Sequence, residues 1–332
     1  MHIFKCTECG NTIKGFIPSK CSCGYSIPVL NGVYQFTNDV PISVKGNGLK
    51  WLGYEKVGEN YEPGYVYNKD NDSVGNSDYL AEFIGDGKIV LDIGAGLGGS
   101  SISFALSGVS AIAADISQFM LEKAVERAQK HITPQEKIIF VRMNGYKLEL
   151  TDNSVDAVIA VDMLHQVNHP ELVIAEIKRV LKPNGYFLQY GGGRSLGYTE
   201  EQQSANLRYN EAQKDIHSFY DSIINEAGYA EPPFSSWEKS ADCIKENFVE
   251  YKRIENTGLY GANNMKWQLR LGLHKIKTRA SGLKQLIPDE IHNDAWARTD
   301  IYAKSKYGES YEDMTRYFNF TEGMILYKQK NT

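Results

Sequence analysis

Three glycines follow a short, mostly apolar segment with the spacing of a nucleotide-binding turn. Gly94, Gly96 and Gly99 fit the pattern G-x-G-x-x-G, directly after residues 89–93. A sharp turn between a strand and a helix needs glycine for its backbone angles and for the close approach of a ligand. The N-terminus of the following helix then offers unpaired N–H groups to that ligand. Several nucleotide-like ligands require such a turn, so the glycines alone do not identify the ligand.

Two aspartates narrow the choice of ligand. Asp92 lies two residues before Gly94, where a fixed negative charge would repel a pyrophosphate, so a dinucleotide-dependent dehydrogenase is disfavoured. Asp115 ends the second predicted strand, 19 residues after Gly96. A carboxylate at this position is suited to accept hydrogen bonds from both hydroxyls of a ribose. Together the two residues predict an adenosyl ligand whose amino-acid tail carries an ammonium group.

Four of the five cysteines lie within the first 23 residues, a clustering that indicates a metal site rather than a disulfide framework. Cys6 and Cys9 have the common spacing with two residues between them, whereas Cys21 and Cys23 are separated by one residue, which is tighter than usual. Four thiolates on two short turns are typical of a tetrahedral zinc site. The sequence therefore predicts a structural Zn²⁺ bound by these four cysteines.

Composition and charge exclude several classes of protein. The 332 residues are 42% hydrophobic and 23% charged, as in ordinary globular proteins. The net charge of −5 argues against a chain that binds a phosphate backbone along its length, although a local basic patch is compatible with it. No apolar run is long enough for a membrane helix, and the first residues do not resemble a secretory signal. We therefore expect a cytoplasmic protein that does not bind membranes.

The chain divides into a cysteine module (1–37), a polar connector (38–75) and a large third region (76–332). The connector is expected to form a lid with the aromatic residues Trp51, Tyr54, Tyr61, Tyr65 and Tyr67. The third region opens with alternating apolar runs and helical patterns, such as a predicted strand over Lys88–Ile93 and a helix over Gly99–Leu106. This alternation predicts a doubly wound α/β sheet. A more helical insert follows, around 194–315, before the last strand.

At these residues the chain resembles the class I S-adenosylmethionine-dependent methyltransferases, of the kind called methyltransferase type 11. The matching segments are Asp92–Gly98, Ala114–Ser117, Asp152–Val158, Val161–Val167 and Glu176–Gly185. The resemblance implies a Rossmann-like sheet of seven strands and S-adenosylmethionine as cofactor. It also implies in-line transfer of a methyl group to a small-molecule acceptor, which the insert would bind.

The resemblance implies a role for residues at each end of the cofactor. Those expected to wrap its methionine part are Gly94, Ala95, Gly96 and Gly98. Asp92 would hold the amino group, Asp115 would bind the ribose hydroxyls, and Ile116 would lie against the adenine.

Further cofactor contacts are implied after the third and fourth strands. Asn144 stands where the family often has an aspartate that contacts the adenine amine, and an amide oxygen can accept the same hydrogen bond. Gly145 and Asp162 are the remaining implied contacts.

His165 is the candidate general base, because it lies just beyond the fourth predicted strand, where the acceptor is expected. A base matters only if the acceptor starts protonated, since alignment alone can supply roughly 7–11 kcal/mol. The alternative is a histidine that packs in the fold or contacts the cofactor. The sequence leaves both interpretations open.

Residues 21–36 resemble the Trm112-like zinc ribbons that precede some bacterial methyltransferases. They are more loosely similar to the ribbon of ribosomal RNA guanine methyltransferases, which helps to hold RNA. Lys5, Lys14 and Lys20 are the lysines of the module, and Glu8 partly balances them. The favoured hypothesis is methyl transfer to a small molecule. The alternatives are a ribosomal RNA base methyltransferase and a non-catalytic protein that binds S-adenosylmethionine or a partner.

Overall fold

The computed structural model describes most of the chain. The described residues are 2–39, 43–44, 50–51, 78–131, 137–190, 196–229, 237–255, 265–279, 284, 287–319 and 323–330. The predicted aromatic lid lies outside them, except that the backbone of Trp51 belongs to a short strand.

The helices and strands of the described residues alternate through the middle of the chain. The strands are β1 (His2–Lys5), β2 (Thr12–Lys14), β3 (Val29–Leu30), β4 (Val33–Gln35), β5 (Ser43–Val44), β6 (Lys50–Trp51), β7 (Ile89–Ile93), β8 (Ser110–Asp115), β9 (Ile138–Arg142), β10 (Val155–Ala160), β11 (Leu181–Tyr190), β12 (Phe248–Glu255), β13 (Met265–Gln268), β14 (Thr315–Phe318) and β15 (Gly323–Gln329). The α-helices are α1 (Asp78–Ile84), α2 (Gly99–Leu106), α3 (Gln118–His131), α4 (Pro170–Val180), α5 (Glu200–Glu226), α6 (Trp237–Asn247), α7 (Leu269–Lys277) and α8 (Asp289–Tyr307).

The main sheet has the strand order β12-β15-β11-β10-β7-β8-β9-β4-β3. Strands β7 to β11 pair in parallel, whereas β15 runs antiparallel to both β11 and β12. From β7 the chain moves outward to β8 and β9, then returns to the other side of β7 for β10 and β11. This reversal is the topological switch point at which doubly wound sheets bind ligands. The predicted α/β class is confirmed.

The predicted seven strands are joined by two that the sequence analysis did not place in this sheet. β4 pairs in parallel with β9, and β3 pairs with β4 as the edge strand. The β1–β2 hairpin is fastened to the same body, because Lys5 N–H donates to the Glu149 carbonyl and Thr151 N–H donates to the Ile3 carbonyl, at 2.9 and 2.7 Å. The cysteine module therefore extends the sheet.

Both faces of the sheet are covered, which explains why its strands are apolar at nearly every position. On one face Val90 and Ala113 pack with residues of α2 and α3, such as Phe104 and Leu121. On the other face Leu91 and neighbouring residues pack with α4 and α6. Side chains alternate between the two faces along each strand.

A separate hydrophobic cluster joins α5, α7 and α8. Tyr209 and Tyr220 of α5 pack with Leu273 of α7 and Ala295 of α8. Thr199 caps the start of α5 by accepting a hydrogen bond from the backbone N–H of Gln202. Within the described part of the chain, we find no helix that combines the length and the hydropathy needed to cross a membrane.

The connections between these helices and the sheet all lie at one edge of the sheet. β11 and β12 are parallel, and their carboxyl ends, Tyr190 and Glu255, lie at the same edge as Gly323, the first residue of the antiparallel β15. α5 follows β11, and α7 and α8 lie between β12 and β15. The helical insert is therefore attached at the carboxyl edge of the parallel strands.

Candidate functional site

The glycine loop joins β7 to α2 at the switch point. Gly94, Gly96 and Gly98 have φ angles of +71°, +52° and +72°, in the left-handed region that favours glycine. The N–H groups of Gly94 and Ala95 both donate to the Ala114 carbonyl of β8, at 2.8 and 3.0 Å. The loop is therefore fixed to the neighbouring strand before α2 begins.

Gly94 also lies against the segment that follows β10. A Cβ atom on Gly94 would come within 2.7 Å of the Met163 Cβ, closer than real Cβ contacts allow. The backbone of the loop after β7 thus packs against the Met163 side chain in the segment after β10. Only glycine fits at position 94.

Asp92 is buried within β7, with 3% of its surface exposed. Its Oδ2 accepts a hydrogen bond from the Ser101 hydroxyl of α2 at 2.6 Å. Burial, together with the negative charge of Asp115, raises the pKa of Asp92 to about 7, and the hydrogen bond from Ser101 opposes this shift. A cationic group at this position would stabilise the ionised carboxylate.

Asp115 lies at the carboxyl end of β8, next to the glycine loop. Its Oδ2 accepts the N–H of Gly96 and its Oδ1 accepts the N–H of Ser117, both at 2.9 Å. A carboxylate oxygen can accept more than one hydrogen bond, as the hydroxyls of a ribose would require. The carbonyl of the next residue, Ile116, accepts a hydrogen bond from Arg142 Nε at 3.1 Å.

Asn144 follows β9, and its amide group is oriented by two contacts. Its oxygen accepts the N–H of Tyr146, and its nitrogen donates to Oδ2 of Asp39, both at 3.0 Å. The carbonyl of Asp39 also accepts a hydrogen bond from Arg142 Nη2 at 3.0 Å. Asp39 follows β4, so the segment after the cysteine module reaches the predicted cofactor site.

The residues after β10 occupy the other side of the switch point. Asp162 is exposed and has a φ of +51°, an uncommon conformation for a residue other than glycine and one that clusters at functional sites. His165 is half-buried in the 3₁₀ turn Leu164–Gln166. A Cβ on Gly145 would lie 3.7 Å from Ile93 and 3.8 Å from Met163, so this residue also lies close to the end of β7.

Sequence reasoning missed Ser101, Met163 and Asp39. Ser101 had a usable signal, since a residue in the first turn of the helix after the loop points back toward the strand. Met163 and Asp39 had none, because their roles depend on contacts with Gly94 and Asn144, which are distant along the chain.

The four predicted cysteines come together in the first 23 residues. Their sulfur atoms lie within 4.8 Å of one another, with Sγ–Sγ distances of 3.8 Å between Cys6 and Cys23 and 3.6 Å between Cys9 and Cys21. Tetrahedral zinc with Zn–S bonds of about 2.3 Å requires Sγ–Sγ distances of about 3.8 Å. The geometry of these side chains therefore fits a zinc ion.

Backbone hydrogen bonds form each of the two cysteine turns. Gly10 N–H donates to the Cys6 carbonyl and Gly24 N–H donates to the Cys21 carbonyl, at 2.9 and 3.0 Å. A hydrogen bond from the backbone N–H of Cys23 lowers the pKa of the Cys21 thiol to about 6, which favours the metal-binding thiolate. All five cysteines lie in the described part of the chain, and all have free thiols.

The segment that carries most of these residues matches a known family. Residues 91–189, from β7 to β11, match the family described as Methyltransferase domain. We call these residues the methyltransferase domain, after the family that they match. The match confirms the resemblance that the sequence motifs indicate, and the methyltransferase domain contains the glycine loop, Asp115, Asn144 and His165.

Curated relatives match part of the chain. A demethylmenaquinone methyltransferase of Clavibacter sepedonicus is 36% identical over 99 residues, covering 30% of this chain and 39% of that protein. The sterol 24-C-methyltransferase ERG6A of Gibberella zeae is 34% identical over 143 residues, covering 42% of this chain and 36% of that protein. The chain thus spans about two fifths of these relatives. An uncharacterised methyltransferase of Schizosaccharomyces pombe is 24% identical over 76% of this chain and 89% of its own.

Solved structures with similar folds share little sequence with the chain. The YcgJ protein of Bacillus subtilis has a TM-score of 0.42 at 16% identity, covering 76% of this chain and 95% of that one. Geranyl diphosphate C-methyltransferase of Streptomyces coelicolor A3(2) has a TM-score of 0.38 at 16% identity, covering 76% of this chain and 75% of that one.

Two features of the methyltransferase domain are compatible with S-adenosylmethionine. The pKa of the buried Asp92 is raised chiefly by burial and also by the negative charge of Asp115, and the ammonium group of the methionine part would supply a charge of opposite sign. Asp115 lies beside the glycine loop, and a carboxylate can accept hydrogen bonds from the hydroxyls of a ribose. The two carboxylates therefore suit the two ends of such a ligand.

Proposed function

We propose that the chain is an S-adenosylmethionine-dependent methyltransferase that acts on a small-molecule acceptor. The observation that carries the proposal is the arrangement of Asp92, the glycine loop and Asp115 on adjacent parallel strands at the switch point of a methyltransferase domain. A protein that only binds a partner, without this cofactor, would have no need for this set of groups.

In this proposal the cofactor lies along the carboxyl edge of β7, β8 and β9. Asp92 holds the ammonium group, and the turn Gly94–Gly98 encloses the methionine part. Asp115 binds the ribose hydroxyls. Ile116 packs against the adenine.

When bound, S-adenosylmethionine supplies an electrophilic methyl group on a sulfonium, with a sulfur that leaves as a neutral thioether. The protein has to fix the direction of approach of the acceptor and exclude water, and this positioning can supply roughly 7–11 kcal/mol. The loop is suited to that task, because two backbone hydrogen bonds to Ala114 and the contact with Met163 hold it in place.

His165 is proposed as the general base if the acceptor carries a proton on its nucleophilic atom. Its 3₁₀ turn is held from behind by the Ser240 hydroxyl of α6, which donates to the Leu164 carbonyl at 3.1 Å. His165→Ala should then lower turnover while the affinity for the cofactor stays unchanged. Equal turnover in the variant would leave His165 a packing residue.

The acceptor is proposed to bind between the methyltransferase domain and the helical insert. The insert is attached at the carboxyl edge of the sheet, where the predicted cofactor residues also lie. Two of the relatives are named for small molecules, demethylmenaquinone and a sterol, which supports a small-molecule acceptor for this chain. α5, α7 and α8 lie outside the matched domain, so the acceptor itself is a matter for experiment.

The cysteine cluster is proposed to bind one structural Zn²⁺ through Cys6, Cys9, Cys21 and Cys23. The sulfur geometry supports this, and metal binding would add to the packing of the module against the main core. The ion would hold the β1–β2 hairpin and the turn that leads to β3 and β4.

The first test is isothermal titration of the purified chain with S-adenosylmethionine and S-adenosylhomocysteine, after its ultraviolet spectrum has been checked for nucleic acid. Micromolar binding to protein free of nucleic acid supports the proposal. The acceptor class is then tested with a radiolabelled methyl group, whose transfer into small metabolites or into ribosomal RNA is measured separately. Label in RNA alone would favour the ribosomal alternative, and no binding of either ligand would overturn the proposal.

A further inference from the structure

Residues 37–39, which follow β4, lie at the carboxyl edge of the sheet. β4 is parallel to β9, with Gln35 opposite Arg142, so both strands end at the edge where Asp115 ends β8. The N–H of Phe36 still pairs with the Arg142 carbonyl at 3.0 Å. Residues 37–39 continue beyond this last pair, next to the residues that follow β9.

Asp39 is fixed there by contacts from two directions. Its carboxylate accepts a hydrogen bond from Asn144 Nδ2, and its backbone carbonyl accepts one from Arg142 Nη2, both at 3.0 Å. The same guanidinium donates through Nε to the Ile116 carbonyl at 3.1 Å. One arginine therefore links Asp39 to the turn that follows Asp115.

The hydrogen-bonding roles at this point differ from those that the sequence predicts. The oxygen of Asn144 accepts the N–H of its neighbour Tyr146, while its NH₂ group is turned toward Asp39. The Asn144 oxygen keeps one lone pair, whereas the exposed carboxylate of Asp39 uses Oδ2 for Asn144 and has the greater capacity to accept a further hydrogen bond. Hydrogen bonds from Asn144 and Thr37 lower the pKa of Asp39, so it is an anion at neutral pH.

We propose that Asp39 accepts a hydrogen bond from the exocyclic amine of the adenine, so that the segment after the cysteine module completes the cofactor site. The inference rests on the proposed function, because it needs an adenosyl ligand beside Ile116. Its chemical basis is that adenine presents an N–H donor on this edge, for which a carboxylate is a strong acceptor. Asn144 then serves as a positioning residue that orients Asp39.

The experiment compares two ligands that differ at the proposed contact. S-adenosylhomocysteine carries the amine, whereas S-inosylhomocysteine has a carbonyl oxygen in its place, and both have the same net charge. Binding of each is measured by isothermal titration to the wild-type chain and to Asp39→Ala, Asp39→Asn and Asn38→Ala. Asn38 is the exposed neighbour of Asp39 and serves as the matched control.

The wild-type chain should prefer the adenosyl ligand, and Asp39→Ala should weaken that ligand about tenfold without weakening the inosyl ligand. Asp39→Asn, which keeps the shape of the side chain, should show a smaller loss of the same preference, and Asn38→Ala should show none. Equal weakening of both ligands, or no change in either, would overturn the proposal for Asp39. If the wild-type chain binds neither ligand, the proposed function fails instead.

Discussion

The carboxylate of Asp115 accepts a hydrogen bond from the backbone N–H of Gly96, with 2.9 Å between Oδ2 and the nitrogen. The acid at the end of β8 therefore supports the glycine loop at the end of β7 before any ligand is bound. Its second oxygen accepts the N–H of Ser117 and so also shapes the turn into α3. One side chain thus joins three parts of the candidate cofactor site.

Replacing Asp115 with alanine should weaken both the fold and ligand binding. The variant leaves the N–H groups of Gly96 and Ser117 without their acceptor, which should lower the free energy of unfolding by about 1–3 kcal/mol. The affinity for S-adenosylhomocysteine should fall by about tenfold or more, because hydrogen bonds to a carboxylate are the stronger kind. Chemical denaturation and calorimetry measure the two effects.

The matched control for this variant is Asp86→Ala. Asp86 also accepts a backbone N–H, that of Gly87 at 2.8 Å, but it precedes β7 at the opposite edge of the sheet. Asp86→Ala should leave ligand affinity unchanged. If Asp115→Ala also leaves it unchanged, the assignment of the ribose contact is wrong.

The contact between Gly94 and Met163 predicts a steric conflict that a second substitution relieves only in part. Gly94→Ala places a Cβ within 2.7 Å of the Met163 Cβ at a φ of +71°. The variant should lose about 1–3 kcal/mol of unfolding free energy from overpacking, in addition to the cost of its backbone conformation. Adding Met163→Ala should restore only part of the loss, because its Cβ remains in place.

Gly87→Ala separates the two costs. Gly87 has a φ of +68°, close to that of Gly94, but a Cβ there would meet no atom within 4 Å. It should therefore show the backbone cost alone. Denaturation midpoints of the three variants measure the difference, and an equal loss in Gly94→Ala and Gly87→Ala would mean that the Met163 contact relaxes without cost.

The central sheet could be predicted from sequence because its signals are local. The predicted strand Lys88–Ile93 and the observed β7, Ile89–Ile93, differ by one residue. The predicted and observed bounds of α2 are the same, Gly99–Leu106. Strands that are buried on both faces are apolar at nearly every position, which the sequence shows directly. A glycine turn marks where the following helix begins.

The attachment of the cysteine module could not be predicted in the same way. β3 and β4 have two and three residues, and the partner of β4 in the sheet lies about a hundred residues further along the chain. No periodicity within such short segments indicates which strand they join. The place of Asp39 beside Asn144 follows from that pairing, so the sequence predicts Asn144 near the cofactor but gives no sign of its partner.

Removal of the proposed zinc ion should loosen the sheet edge as well as the module. Elemental analysis should find one zinc per chain, and the paired variant Cys6→Ser, Cys9→Ser should contain none. Because β4 pairs with β9, amide hydrogen exchange should become faster in 33–35 and in 138–142, whereas β11 should keep its protection. Cys243→Ser is the control, since this cysteine belongs to α6 and lies outside the cluster. Full protection of β9 in the zinc-free variant would mean that the module is held without metal.

The raised pKa of Asp92 predicts that ligand binding depends on pH and releases a proton. Burial and the charge of Asp115 raise this pKa to about 7, above the ordinary value of about 3.9. The contribution of Asp92 to stability is therefore complete below about pH 4, falls by roughly 1.4 kcal/mol per pH unit between about pH 4 and pH 7, and changes little above pH 7. Asp92→Asn, which is always neutral, should lack this loss in denaturation experiments between pH 4 and 7.

Binding of S-adenosylhomocysteine should reverse the preference of Asp92 for its neutral form. The ligand's ammonium group favours the carboxylate, so affinity should increase from pH 6 to pH 8, with release of nearly one proton at pH 6 and almost none at pH 8. Titrations in phosphate and in ACES, two buffers that cover this pH range and differ in ionisation enthalpy, count these protons. Asp92→Asn should bind more weakly and without proton release. The same release in that variant would show that another group titrates and that Asp92 does not hold the ammonium group.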